Sequence, residues 1–173
     1  QKFVKAMILM ATLPRIPQFF YGTEILMQSP KERDDGVVRS DFPGGWADDS
    51  VNAFTGLGLN EQQQQAQQLI KTLLNYRQQN TVLHSGDMTH FFPKDGVYTY
   101  VRTAKNHDQS RQVWVFLSKN TQAIKLDAQH YRELNPQNCE FSEIFGGQKF
   151  VSLSDITLKA QGMLLLECHT QTY

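Results

Sequence analysis

Apolar residues recur at helical spacing from the first residue. Phe3, Ala6, Met7 and Met10 fall on one face, and Ile8 and Leu9 widen it, so a helix is expected over 1–13 with the methionines as core filler. Pro14 ends it, because a residue before proline is pushed out of helical geometry. Phe19-Phe20-Tyr21 follows as a short strand, apolar on both faces. From Gln28 to Gly58 the periodicity is lost, and Pro30, Gly36, Pro43, Gly44, Gly45, Gly56 and Gly58 mark a long loop. Its aromatic residues, Phe42, Trp46 and Phe54, argue against disorder. Helical spacing returns after Asn60. Ala66, Leu69, Ile70, Leu73 and Leu74 make one apolar face, with Arg77 in line. Asn60 is placed to cap that helix, with Gln63 at the capping-box position. The Gln62–Gln65 run is its wet face, and the end falls near Gln79-Asn80.

From Thr81 the pattern alternates. Val97–Val101 and Gln112–Leu117 read as strands, and Gln122–Leu126, Gln148–Leu153, Ile156–Leu158 and Met163–Cys168 as shorter ones. Lys94-Asp95-Gly96, Asn106-His107-Asp108 and Phe145-Gly146-Gly147 are turns, and Gln129–Leu134 is a single helical turn. This predicts an antiparallel all-β module of about 90 residues, a two-sheet sandwich.

Composition excludes several classes. The chain has 173 residues, with Lys+Arg and Asp+Glu both 17, so no charge imbalance points to nucleic acid or an anionic membrane. No segment is long and apolar enough to span a bilayer. Cys139 and Cys168 lie far apart, and unpaired thiols are expected over a disulfide. His84, His90, His107, His130 and His169 lack metal-binding spacing and are read as surface or packing residues. There is no nucleophile elbow and no phosphate loop. The chain starts at Gln1, without methionine and inside a helix, which suggests a piece of a larger protein.

Leu13-Pro14-Arg15-Ile16-Pro17-Gln18-Phe19-Phe20-Tyr21-Gly22-Thr23-Glu24 resembles the segment around the eighth strand of α-amylase-family glycoside hydrolases, with Arg15 where glycine is usual. Arg39–Trp46, Asn52–Thr55 and Leu74–Arg77 resemble the neopullulanase/cyclomaltodextrinase branch, particularly its starch-utilisation members. The likeness is strongest from Leu13 to Val101 and fades after Asn106. It implies an α+β chain: residues 1–80 would be the last helix–strand–helix part of a (β/α)8 barrel, and 81–173 a C-terminal Greek-key β-sandwich.

The resemblance also implies sites. Asp35-Gly36-Val37-Val38-Arg39 is similar to a D-x-x-x-R pair that grips sugar hydroxyls, which makes Asp35 and Arg39 the expected substrate-binding residues. The other reading is a solvated end of the Lys31–Asp35 charge run. Glu24 stands near bound sugar or is a structural carboxylate, and the structural role is favoured. Tyr21 is expected in the core with its hydroxyl tied down. Trp46 stacks on a sugar ring or anchors its loop, with anchoring favoured. No catalytic residue and no metal ligand is assigned here, since the family's catalytic carboxylates would lie upstream of Gln1. No cofactor is expected in this chain, and calcium in the whole enzyme would be held mostly by upstream segments. The expected partner is an α-glucan or maltooligosaccharide, not nucleic acid. The alternatives are a carbohydrate-binding module and a purely structural β module. Exposed barrel edges would favour self-association. Relatives of this branch suggest a periplasmic or secreted location.

Overall fold

Strands need neighbours, and the apolar alternation after Thr81 finds them. The structure is a computed structural model. It describes residues 1–29, 35–106, 109–134 and 139–171, so Pro30, the 31–34 charge run and the turn at His107-Asp108 lie outside it. The chain forms two compact units, one of Gln1–Arg15 with Arg77–Tyr173 and one of Ile16–Tyr76. This grouping crosses the 1–80 and 81–173 division read from the sequence.

In the first unit, β1 (Asp87–Lys94), β2 (Val97–Asn106), β3 (Gln109–Ser118), β5 (Phe141–Glu143), β6 (Lys149–Phe150) and β8 (Met163–Gln171) build a six-stranded sheet. Its order is β1-β2-β3-β8-β5-β6, and β4 (Ile124–Lys125) pairs with β7 (Thr157–Leu158) in a second, two-stranded sheet. The ladders are antiparallel. Register puts Val101, Trp114 and Leu166 level on one face. They share a buried cluster with Phe116, Leu126, Tyr131, Phe141, Leu153, Ile156 and Leu158. Trp114 is its centre, stacked between Phe91 and Phe116 and met edge-on by Tyr131 and Phe141. Tyr100, Val115 and Leu165 are level on the opposite face and are also buried. Burial on both faces explains why Val113–Leu117 is a continuous apolar run rather than an alternating one.

Helix α1 (Lys2–Thr12) is fastened in this unit through its carboxyl end. The four last carbonyls of a helix lack internal partners. Arg77 donates from Nη1 to Ala11 O (2.8 Å) and from Nη2 to Arg15 O (2.6 Å). Arg102 donates from Nη1 to Thr12 O (2.8 Å) and from Nη2 to Gly86 O (2.7 Å). The Thr12 hydroxyl donates to Ile8 O at 2.6 Å, so the Tyr100 hydroxyl, 2.5 Å from Thr12 Oγ1, is the donor between the two. Burial pushes the Tyr100 hydroxyl pKa up and both guanidinium pKa values down.

Several expectations change. Thr81–Ser85 is a short helix, α4, because the Asn80 side chain accepts from Val82 N (3.1 Å) and caps it. β1 and β5 are additional strands. β1 is a largely exposed edge and β5 has three residues, so neither carries a strong alternating signal. Leu153–Asp155 is a 3-10 turn closed by a Ser152–Asp155 capping box, which cuts short the strand expected over Gln148–Leu153. Cys139 and Cys168 are not free thiols: they form a disulfide with Cα atoms 5.9 Å apart. Pairing of Phe141 with Cys168 across β5 and β8 brings the two cysteines together despite 29 positions of sequence separation.

The second unit is loop-rich. Phe19-Phe20-Tyr21 is not a strand among the described residues, because no segment pairs with it. Phe20 is 63% and Tyr21 42% exposed, so Tyr21 is not in the core, although its hydroxyl does donate to Ser40 O at 3.1 Å. A 3-10 turn at Thr23–Ile25 follows, then α2 (Asp35–Val38) and an isolated bridge between Asn52 and Leu57. Ile25, Ala53 and Leu59 form a small core with Met27, Phe42 and Val51. Helix α3 (Glu61–Gln79) opens with the expected capping box: Asn60 N donates to Gln63 Oε1 and Gln63 N to Asn60 Oδ1, both at 3.0 Å. Ala66, Ile70, Leu73 and Arg77 are its buried positions. A barrel arrangement of residues 1–80 is not displayed by these elements.

Candidate functional site

The polar and aromatic groups singled out in the sequence collect in the second unit. Phe19, Phe20, Tyr21 and Glu24 come from the segment after Pro17, and Gln67, Ile70, Lys71 and Leu74 from one face of α3. Together they line a cleft of about 350 Å³. Glu24 is half-buried at its wall and has no hydrogen-bond or ion-pair partner among the described residues, which leaves the structural pairing expected for it unseen. Phe20 and Tyr21 also border a second cleft of about 180 Å³, completed by Gly22, Thr23, Met27, Gln28, Ser29 and Val38. Gly22 has φ 84°, and a β-carbon there would sit 2.7 Å from the Met27 side chain, so glycine is required at this turn.

Val38 brings α2 to that second cleft, and α2 carries the expected sugar-binding pair. Arg39 Nη2 donates to Asp35 Oδ2 at 3.4 Å. The side chains are 65% and 84% exposed, so the pair adds little to stability and both groups remain open to solvent. An exposed carboxylate beside a guanidinium fork can accept from and donate to neighbouring hydroxyls.

The loop after α2 is built by two acceptor side chains, of which Asp49 was not singled out in the sequence. Asp49 Oδ2 accepts from Gly44 N (2.7 Å) and Trp46 N (3.1 Å). Asn52 Oδ1 accepts from Phe54 N (3.0 Å) and Thr55 N (3.1 Å). Ala53 N donates to Pro43 O (3.0 Å), closing the loop on its core. Trp46 therefore has an anchored backbone, but its ring is 68% exposed, and Nε1 donates to Asp41 Oδ2 at 3.2 Å. The ring does not anchor the loop by burial. The recognisable signal was an Asp three residues after Trp46, placed to accept from turn amides.

Among the described residues no group of three or more His, Cys, Asp or Glu could hold a metal ion. His84 donates to Arg77 O (2.7 Å) and His130 to Phe92 O (2.9 Å), which are packing roles. Among the described residues no helix is long and apolar enough to cross a membrane.

An antiparallel β domain preceded by a helix and a loop-rich unit bearing exposed carboxylate, guanidinium and aromatic groups is the class of arrangement this chain presents. Residues 88–167 match the family model described as the cyclo-malto-dextrinase C-terminal domain. The match covers the strands beyond Asn106, where the resemblance read from motifs fades. Solved structures share the fold. AmyP in complex with maltose is 19% identical with a TM-score of 0.69, over 96% of this chain and 34% of that one. The α-amylase of Geobacillus thermoleovorans, complexed with acarbose, is 20% identical with a TM-score of 0.66, over 96% and 33%. A cyclic α-maltosyl-(1→6)-maltose hydrolase from Arthrobacter globiformis is 16% identical with a TM-score of 0.60, over 95% and 29%. The chain thus spans about a third of the length of these proteins. Over residues 88–167 the chain is thus similar to the cyclo-malto-dextrinase C-terminal domain, and the solved structures show that it shares the fold of α-amylase-family proteins.

Proposed function

We propose that this chain is the C-terminal part of a glycoside hydrolase acting on α-glucosidic bonds of starch, pullulan or cyclodextrins, of the neopullulanase/cyclomaltodextrinase kind. The observation that carries this is the match of residues 88–167 to the cyclo-malto-dextrinase C-terminal domain. The neighbouring structures with maltose and acarbose support an α-glucan or maltooligosaccharide as the ligand. Residues 1–80 then belong to the end of the enzyme's barrel, where the Phe19–Tyr21 segment gains the strand partners it lacks among the described residues. Asp35 accepts from sugar hydroxyls and Arg39 donates to them at the rim of the active site.

Retaining hydrolysis of a glycosidic bond uses two carboxyl groups about 5–5.5 Å apart, one as nucleophile and one as proton donor. Glu24, Asp35 and Asp41 match no catalytic motif of the family, so that pair is assigned to the two thirds of such enzymes that this chain does not span. The chain alone is expected to bind maltoheptaose weakly and to release no reducing ends from it. Asp35→Ala or Arg39→Ala is expected to weaken calorimetric binding about tenfold, the worth of one charge-assisted hydrogen bond. Release of reducing ends by the purified chain, or unchanged affinity in both variants, overturns the assignment it addresses.

For the β domain a structural role is favoured over carbohydrate binding. Five of its aromatic residues, Phe91, Trp114, Phe116, Tyr131 and Phe141, belong to one internal cluster, while Phe92 and Phe145 are exposed singly. The five clustered rings offer no face on which a sugar could stack.

A further inference from the structure

Trp46 is held in place yet left in the open. Its backbone amide is bound by Asp49 and its indole N–H by Asp41, so both the loop and the ring direction are set. The turn before it is equally constrained. Gly44 has φ 103°, and a β-carbon there would meet Asn52 at 2.8 Å. A small apolar core formed by Ile25, Ala53 and Leu59 with Phe42 lies in the same unit, but the indole is not among its members. Two Asp side chains thus orient a large apolar surface toward solvent, which costs exposure and returns no packing.

A flat, rigid ring of this kind suits a partner that is apolar on one face and polar around its edge. A pyranose has that character: its axial C–H bonds lie against an electron-rich aromatic face while its hydroxyls point outward. Asp41 adds a polar contact at the ring's edge. Its Oδ2 takes the indole N–H, and Oδ1 accepts no hydrogen bond among the described residues.

We propose that Trp46, oriented by Asp41, is a stacking platform for a glucose unit of the bound α-glucan, with Asp41 Oδ1 accepting from one of its hydroxyls. The inference rests on the α-glucan reading above and adds a contact separate from Asp35 and Arg39. Tryptophan fluorescence tests it well, because the chain has two tryptophans and the other, Trp114, is fully buried. The 173-residue chain is titrated with maltoheptaose while emission, acrylamide quenching and calorimetric heat are followed. A saturable emission change with protection from acrylamide is expected. Trp46→Ala should abolish both signals and weaken calorimetric binding about tenfold, while Trp46→Phe should retain part of the affinity. As Trp46 is exposed, neither variant should alter the unfolding midpoint. Calorimetric binding with unchanged Trp46 emission and unchanged affinity in Trp46→Ala overturns the platform and leaves the α-glucan reading standing. No heat with any variant or with the unmodified chain overturns both.

Discussion

Arg15 adopts a backbone conformation that costs energy for any residue with a side chain, at φ 94°. It stands where the resembling family has glycine, and its carbonyl is held by Arg77 Nη2 at 2.6 Å. The geometry of this turn is therefore imposed from outside, by a buried guanidinium that also caps α1. Arg15→Gly keeps the carbonyl and removes the steric penalty. Glycine gains more freedom in the unfolded chain, which offsets part of that relief. A net stabilisation of about 1 kcal/mol is expected, read as a higher urea midpoint at unchanged slope. A lower midpoint would mean that the Arg15 side chain makes a compensating contact. The departure from the family glycine was visible in the sequence, but its consequence was not. Only the folded backbone shows that the position has a positive φ.

The elements of the β domain are tied at two places that differ in physical kind. The Cys139–Cys168 disulfide joins the approach to β5 with β8 inside the main cluster. Closing a loop of this size restricts the unfolded chain by about 3.6 kcal/mol. Thiol titration in denaturant without reductant should therefore find no free cysteine, and reduction should lower the thermal midpoint by several degrees. Two reactive thiols in the untreated protein would contradict the bond. The second tie is the Lys94–Asp127 ion pair (2.6 Å), linking the end of β1 to the turn that Asp127 caps. The hydrogen bond from Lys94 holds the Asp127 carboxyl below its usual range, with the Gln129 amide adding to this. A depressed carboxylate contributes stability that is present above its unfolded pKa and lost as pH falls through the folded one. The same hydrogen bond raises the Lys94 pKa, so its share is present below the ordinary lysine range and lost as pH rises through the raised value. In Asp127→Asn the acid-side loss of stability below pH 4 should shrink, and the alkaline-side loss near the lysine range should shrink with it. Identical pH–stability curves for the two proteins would remove the pair from the account. The two helices and the central strands were legible in the sequence because their periodicity runs over many residues and their caps are local. The disulfide and β5 were not, because both depend on the strand order that places β8 beside β5, and β1 was not, because an exposed edge carries little alternation. Phe19–Tyr21 failed as a strand for the complementary reason. Its apolar residues satisfy the pattern, but a ladder needs a partner.

On the scale of the whole molecule, that unpaired segment leads to a prediction about association. Ile16 is 92% and Phe20 63% exposed, and Phe20 lines a cleft together with Phe19, Ile70 and Leu74. Exposed apolar side chains on a segment with no strand partner form a surface that favours contact with another chain. The proteins sharing this fold are about three times longer than this chain, so in them such a surface has more polypeptide available to cover it. We propose that the 173-residue chain on its own meets this need by self-association. Light scattering should give a mass that rises with concentration, accompanied by binding of an apolar dye. Phe20→Ser should reduce both while leaving the circular dichroism of the β domain unchanged, since Phe20 belongs to the other compact unit. A constant monomer mass with no dye binding would show that the cleft is self-sufficient. It would also withdraw the main physical reason for treating residues 16–76 as one side of a larger packed structure.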